Sequence, residues 1–244
     1  MFTKSLRGFS LFLIAGVLLS WSYFPVHGRT QASTDETVRG FDAPTGIAAT
    51  IFTQPILPNG ILYQSSFLDP DGSNNDKIVW DNFTLPATAS ITEIDWAGGY
   101  DPLKWGAGGP VLNFNVKIYP SIPAGTEPAI AYPPLVQYQT GGNASQTSIG
   151  TVGGIPMYSY AFILPAPFVA SAGVKYWVQI EAVQTGSNPD WGMAAGSGGN
   201  GSHYLKESGA GGDVRYHSVP GDTAFSLITA SNPPVGVWLP LISK

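Results

Sequence analysis

The stretch VLNFNVKIY, residues 111–119, decides the fold class. Apolar and polar side chains alternate along it, with Leu112, Phe114, Val116 and Ile118 on one side and Asn113, Asn115 and Lys117 on the other. A period of two is the pattern of a β-strand that buries one face and exposes the other. The stretch therefore predicts a half-exposed strand at the surface of a sheet.

The same pattern recurs along much of the chain. It is found in IVWDNFTL (78–85), ITEIDWAG (91–98), YSYAFIL (158–164), VKYWVQIEAV (174–183) and TAFSLIT (223–229). The connections are rich in glycine and proline, and no stretch has the spacing of an amphipathic helix over several turns. Short strands joined by many turns predict an all-β fold, an antiparallel two-sheet β-sandwich that is jelly-roll-like and forms a single domain.

Both ends of the chain differ from the middle. Residues 1–28 carry Lys4 and Arg7 ahead of an apolar run, which predicts a signal peptide, with an uncleaved membrane anchor as the alternative. Residues 29–58 are expected to be a mobile leader and residues 59–230 the sandwich. Residues 231–244 form a proline-hinged apolar tail, expected to be either an anchoring signal or an extra edge strand. We expect a secreted or cell-surface protein.

Composition excludes several classes of function. The formal net charge is −5, and removal of Lys4 and Arg7 with the signal peptide would leave about −7. An acidic chain with scattered basic residues lacks the electrostatic footprint of a nucleic-acid-binding protein. The chain has no cysteine, which excludes disulfides, thiol catalysis and cysteine-ligated metals.

Several of these strands resemble a family of secreted bacterial β-sandwich modules. In that family a DDFTL strand precedes the pattern I..I.W.G.Y, and members often carry a C-terminal anchoring signal. The corresponding residues here are DNFTL (81–85) and Ile91, Ile94, Trp96, Gly98 and Tyr100. The resemblance implies the sandwich fold and export, and it brings no catalytic residues with it. Asn82 stands where a second Asp is common in the family.

The stretch DPDGSNND, residues 69–76, has two interpretations. Asp, Asn, Ser and Gly are the residues of tight turns, which is the first. Their oxygens are also the ligands that calcium prefers, so a structural calcium bound by Asp69, Asp71, Asp76 and Asp81 is the second. Asp81 shares the parity of the apolar positions in its strand, and we expect its carboxylate to be hydrogen-bonded or to complete the calcium shell. A strand-edge position facing solvent is the alternative.

Aromatic residues supply the candidate binding site. By parity, Trp177 lies among polar neighbours on the exposed face of its strand, and Asn113 and Asn115 form a similar polar row. Trp105 and Trp191 lie in glycine-rich segments that are expected to be loops at the rim. Rings and amides together are the groups that bind sugars, because a ring stacks on the sugar and amides bond its hydroxyls. A covering loop over Trp177 is the alternative.

Catalytic motifs are missing from the sequence. His203 and His217 lie outside any zinc-binding or triad pattern, and no GxSxG elbow is present. Glu93, Asp95 and Glu181 are candidates for glycoside hydrolysis. Glu93 and Asp95, however, share the face opposite Ile94 and Trp96, as solvent-facing residues do.

We therefore expect a non-enzymatic module that binds a glycan or another extracellular polymer through aromatic loops. The alternative is a structural component of an envelope, sheath or matrix that self-associates or attaches through its C-terminal tail. A glycoside-active enzyme is the third hypothesis. The sequence does not identify the ligand.

Overall fold

The computed structural model describes residues 48–69, 76–106, 109–186, 188–208 and 213–230. These residues form fifteen strands and one short helix, joined by turns and loops. The elements are β1 (Ala48–Gln54), β2 (Leu62–Gln64), β3 (Ser66–Leu68), β4 (Ile78–Thr84), β5 (Ala89–Tyr100), α1 (Pro102–Trp105), β6 (Val111–Pro120), β7 (Val136–Gln139), β8 (Thr147–Val152), β9 (Ile155–Ala170), β10 (Lys175–Gln184), β11 (Trp191–Gly196), β12 (Ser202–Ser208), β13 (Val214–Pro220), β14 (Asp222–Thr223) and β15 (Phe225–Ala230). No helix among the described residues is long and apolar enough to cross a membrane.

The strands pair into two sheets. Sheet 1 has eight strands in the order β1-β15-β5-β11-β14, and in addition β9 pairs with β5, β8 with β9, and β2 with β11. Sheet 2 has seven strands in the order β13-β12-β4-β10-β6-β7, with β3 beside β10. The pairing of β3 with β10 is parallel, and the other strand pairs are antiparallel. The prediction of an all-β, antiparallel two-sheet sandwich is confirmed.

One hydrophobic core lies between the inner faces of the two sheets. Sheet 2 contributes the alternating residues that the sequence placed inward on β4, β6 and β10, and sheet 1 contributes those of β5, β9 and β11. The largest members of this core include Phe83, Phe114, Ile118, Ile180, Ile94, Trp96, Tyr160 and Trp191. A fully buried apolar side chain contributes about 1.5–3 kcal/mol, so this layer is the main source of stability.

Leu112 departs from the alternation that defines β6. The register between β6 and β10 shifts at this point, because Gln184 pairs with Val111 although Val183 pairs with Asn113. Such a bulge inserts one extra residue into a strand, so the alternation of inward and outward side chains is reversed on one side of it. Val111 therefore enters the core in place of Leu112, which is 49 % exposed.

The pattern I..I.W.G.Y is the core-facing side of β5. Ile91, Ile94 and Trp96 are buried in the main core. Gly98 follows on the same side, and a Cβ atom at this position would lie 2.5 Å from the indole ring of Trp191 and from the carbonyl oxygen of Gly192. Real Cβ atoms do not come so close, so the glycine is required for β11 to carry its tryptophan against β5.

Asp81 of β4 joins the two sheets. Its Oδ2 accepts hydrogen bonds from the backbone N–H and the Oγ1 hydroxyl of Thr223 in sheet 1, and its Oδ1 accepts from the N–H of Asn82. The Gln54 amide, oriented by its hydrogen-bond partners, donates to Oδ2 at 2.9 Å. The expectation that the Asp81 carboxylate is hydrogen-bonded is therefore met. Burial raises its pKa to about 7, and the N–H donors of Thr223 and Asn82 oppose this rise.

The boundary expected between leader and sandwich at residue 58 is wrong. Strand β1 lies within the range assigned to the mobile leader, and it pairs with β15 from Ala48 to Gln54. The run AATIFTQ has no charge, and its ladder to β15 satisfies its backbone groups. The predicted signal peptide, the rest of the leader and the C-terminal tail at residues 231–244 lie outside the described residues.

Substitution of Phe114 by Ala tests the core. Phe114 is fully buried, and we expect a loss of about 3–5 kcal/mol in the free energy of unfolding, the usual cost of truncating a buried aromatic ring. The matched control is Leu112→Ala in the same strand, which should cost about 0.5 kcal/mol because the side chain is half exposed. Urea denaturation of both variants measures the difference. Equal losses would contradict the bulge.

Asp81 should make stability depend on pH. Because the folded state raises this pKa from 3.8 to about 7, it holds the proton more tightly than the unfolded chain does. The resulting stabilisation is complete below pH ~4 and is lost as the pH rises through about 7. We expect the free energy of unfolding to fall over this range, and to fall less in Asp81→Asn.

The measurement is urea denaturation at a series of pH values, with the slopes compared rather than the absolute stabilities. Asp81→Asn also alters hydrogen bonds and is expected to be less stable at every pH. Asp213→Asn, at an exposed position, serves as the control and should keep the wild-type slope. Identical slopes in all three proteins would show that Asp81 titrates normally.

Candidate functional site

Two of the three tryptophans expected to bind a ligand are buried. Trp191 is fully enclosed in the core, where it begins strand β11 rather than lying in a rim loop. Trp177 is on the outer face of sheet 2, as its parity predicted, but it is only 2 % exposed. Trp105, at the end of α1, is half-buried and packs beside Gly192. Trp177 and Trp191 are therefore unavailable for stacking on a ligand, and the prediction for both was wrong.

Trp177 is covered by the segment between β6 and β7, residues 121–135. Its indole Nε1 donates to Ser121 Oγ at 3.1 Å, at the start of this segment. Farther along, the Glu127 carboxylate accepts a hydrogen bond of 2.7 Å from the Tyr204 hydroxyl. The carbonyl oxygen of Gly125 accepts another from Lys175. Trp80, Tyr119, Trp177 and Tyr204 form a small second core under this cover.

Asn113 and Asn115 are used within the protein. The Oδ1 atom of Asn113 accepts from the hydroxyl of Thr140 and from the N–H of Gly141, which holds the loop after β7. Asn115 donates from Nδ2 to Glu181 Oε2 at 3.3 Å. Burial raises the pKa of Glu181, and the nearby charge of Lys117 opposes the rise. The polar row exists as predicted, but both amides already have partners.

Asp81 is separate from the other described carboxylates that were proposed for calcium. Asp81 points into the sandwich and bonds Thr223, whereas Asp76 interacts electrostatically with Glu181 on the outer face of sheet 2. Asp71 lies outside the described residues, and Asp69 is exposed. Across the described ranges, no three His, Asp or Glu residues are grouped to hold a metal ion. Asp81 is thus not a ligand of the predicted site; calcium binding by the neighbouring stretch stays a prediction.

A groove lies on the outer face of sheet 1. Its floor is built of small side chains on adjacent strands, because Ser226 of β15 pairs with Asp95 of β5 and Asp95 pairs with Ala161 of β9. Pro55 and Ile56 line one side, and Ser145 and Thr147 line the other. The hollow has a volume of about 370 Å³. We call it the sheet-1 groove.

Asp95 lies on the floor of the sheet-1 groove, and Glu93 lines a hollow next to it. Glu93 and Asp95 are two residues apart on β5 and therefore project on the same face. Burial, the charge of Glu93 and a hydrogen bond between the two side chains together raise the pKa of Asp95 to about 6. Asp95 therefore gains its negative charge just below neutral pH.

A buried polar atom at the groove has no hydrogen-bond partner among the described residues. It is the acceptor Asp95 Oδ1, on a residue that lines the groove. Trp96 Nε1 also lacks a partner there, but its ring lies in the core on the opposite face of β5. An unpaired buried polar group costs about 1–3 kcal/mol, so Asp95 Oδ1 marks a place where a ligand donor would be favourable.

The wall of the groove is held by the core. Trp191 Nε1 donates to the hydroxyl of Tyr160 at 2.9 Å. Tyr160 and Tyr100 both donate from their hydroxyls to Oε1 of Gln146, which lies between the wall residues Ser145 and Thr147. This series of hydrogen bonds holds in place the loop that contains the wall residues Ser145 and Thr147.

The same loop has an unusual backbone. Ala144 and Ser145 are consecutive and have φ values of 49° and 55°, in the left-handed region that residues with a Cβ atom rarely adopt. Ala144 is buried against the core, and its carbonyl oxygen accepts from the N–H of Ala161. Such strain persists only where surrounding contacts maintain it, and it is common at binding sites.

Sequence reasoning found the carboxylates of this site but not the groove. Glu93 and Asp95 were expected to face away from Ile94 and Trp96, and they do. What was missed is that Ser226 and Ala161, distant in sequence, flank Asp95 and leave space above it. The available signal was the run of small residues at outward positions of three strands.

A search of curated proteins found no match to the chain. A family model described as a domain of unknown function, DUF7901, matches residues 50–203. This range contains β5, β9 and β11 and most of sheet 2, so it covers the core and a large part of the groove. Because the match extends over more than half of the chain, the protein belongs to the DUF7901 family.

Proposed function

We propose that this protein is an exported, non-enzymatic binding module that holds a hydroxyl-rich extracellular polymer, such as a glycan, in the sheet-1 groove. The observation that carries the proposal is the acceptor Asp95 Oδ1 in the groove, which is buried and has no hydrogen-bond partner among the described residues. A hydroxyl group of a ligand can donate a hydrogen bond to this oxygen.

The shape and chemistry of the groove support the same conclusion. Its volume of about 370 Å³ lies in the usual range of ligand sites. Hydroxyl-bearing residues such as Ser145, Thr147, Ser159 and Ser226 line it together with apolar ones. In this proposal the groove replaces the aromatic loops, because Trp177 and Trp191 are enclosed by the protein.

The arrangement of the carboxyl groups favours binding over glycoside hydrolysis. Glycosidases hold their two carboxyl groups on either side of the scissile bond, about 5 Å apart or more. Glu93 and Asp95 instead lie two residues apart on the same face of β5, so both carboxyl groups are on one side of any bound ligand.

Filling the groove tests the proposal. Ala161 is exposed on the floor, and Ala161→Trp should occupy the hollow without disturbing the core. We expect this variant to lose binding at least about tenfold in pull-down assays on insoluble polysaccharides and on a glycan array. Ala172→Trp, at an exposed position in the turn between β9 and β10, is the matched control and should bind as wild type does.

Unchanged binding by a folded Ala161→Trp variant would exclude the groove as the binding site. If the wild-type protein binds no polysaccharide in either assay, the proposed function itself is wrong. Circular dichroism and thermal melting confirm that the variants are folded.

One observation favours a structural component as a second candidate. Among the strands that the structure describes, β8 pairs only with β9, and its residues TSIGTV carry no charge and no proline. Unprotected edges of this kind can pair with another copy of the chain. Self-association would appear as concentration-dependent sedimentation, and we expect Thr151→Lys, which adds a charge to this edge, to abolish it. Sedimentation as a monomer at every concentration would rule the candidate out.

A further inference from the structure

The sheet-1 groove continues along strand β5. A second hollow of about 370 Å³ shares Ser145 and Ala161 with the first and extends past Glu93. A third hollow of about 410 Å³ lies farther along the same strand, at Ala89 and Ser90. From Ala97 to Ala89 the strand rises about 27 Å, at roughly 3.4 Å per residue. We call the three hollows together the β5 trough.

The β5 trough has a negative floor. Glu93 and Asp95 are the only acidic or basic residues among the described residues that line its three hollows. The ion pairs in the described part of the chain involve Glu207 and neither of these carboxylates. Unpaired carboxylates in a partly buried site repel anions and attract cations more strongly than they would in open water.

The face of a sheet and the edge of a sheet bind different kinds of ligand. An extended peptide binds best at an edge, where free backbone N–H and C=O groups continue the ladder. From Glu93 to Trp96 the backbone of β5 is already paired with both β9 and β15, so recognition at the two carboxylates depends on side chains. This arrangement favours a polysaccharide, whose hydroxyl and amino groups hydrogen-bond to side chains.

We propose that the β5 trough binds an internal stretch of a linear polysaccharide that carries free amino groups, with Glu93 and Asp95 facing the ammonium groups. This inference rests on the proposed function and specifies its ligand class. The trough is long enough for a polysaccharide chain to lie along it and extend beyond both of its ends. Its negative charge complements the ammonium groups of an amino sugar.

The charge of the pair makes this binding depend on pH. The facing groups from β9, β15 and the loop after β7 are uncharged, so Glu93 and Asp95 alone set the local charge. Since the pKa of Asp95 is raised to about 6, its carboxyl group gains a negative charge as the pH rises through this value. The amino groups of the sugar must also keep their protons, and they lose them as the pH rises further. Binding of an amino sugar should therefore strengthen from pH ~5 to just above pH ~6 and weaken again at higher pH.

The experiment compares four probes by calorimetry with the full chain. They are chitosan oligomers, their fully N-acetylated counterparts, alginate oligomers and oligolysine. We expect chitosan oligomers to bind best, with an affinity that rises with length and then levels off. Asp95→Asn and Glu93→Gln should each weaken chitosan binding about tenfold and leave N-acetylated oligomers unaffected. Asp213→Asn makes the same change in net charge elsewhere and should have no effect.

Several outcomes would overturn the inference. These are alginate binding as tightly as chitosan, a disaccharide binding as tightly as longer oligomers, or oligolysine equalling chitosan. Neutral oligomers that bind, are blocked by Ala161→Trp and are insensitive to Glu93→Gln and Asp95→Asn would leave the proposed function intact and refute this ligand class. Absence of binding by every polysaccharide would refute both.

Discussion

The packing of Trp191 against Gly98 is the contact on which the sandwich depends. The indole fills the space between the two sheets and lies edge-on to Phe114 of sheet 2, with ring centroids 4.9 Å apart. It fits only because residue 98 has no side chain. Tyr160 and Trp96, stacked at 5.6 Å, complete the layer around it. Aromatic rings in such geometries contribute about 0.5–1.5 kcal/mol per pair beyond their buried area, which makes this cluster the most specific part of the core.

The same tryptophan connects the core to the surface. A buried indole N–H needs an acceptor, and Tyr160 provides it. The hydroxyl of Tyr160 in turn donates to Gln146, whose neighbours form one wall of the sheet-1 groove. The wall is thus part of the hydrogen-bond network of the core rather than an independent loop. A binding site supported in this way loses little conformational entropy when a ligand arrives, because its residues are already ordered.

Local periodicity was enough to predict the two-sheet architecture and six of its strands, β4, β5, β6, β9, β10 and β15, because each of them buries alternate residues whatever its partners are. Features that depend on which strands or loops pack against each other could not be predicted from periodicity. Leu112 obeys the alternation in sequence, yet the bulge beside Val183 exposes it. Trp177 has an exposed parity, yet a segment that begins more than fifty residues earlier covers it. Trp191 has glycine and proline neighbours typical of a loop, yet it begins a fully buried strand.

The pairing of β1 with β15 has a mechanical consequence. Ala48, the first described residue, lies opposite Ala230, so the chain enters and leaves the sandwich side by side. Tension applied between these two points pulls the ladder apart from its end and breaks its hydrogen bonds one after another. Gln54 and Ser226, near the other end of that ladder, belong to the groove. A load carried through both flanks would therefore dismantle the groove before the core, whereas attachment through a single flank would spare it.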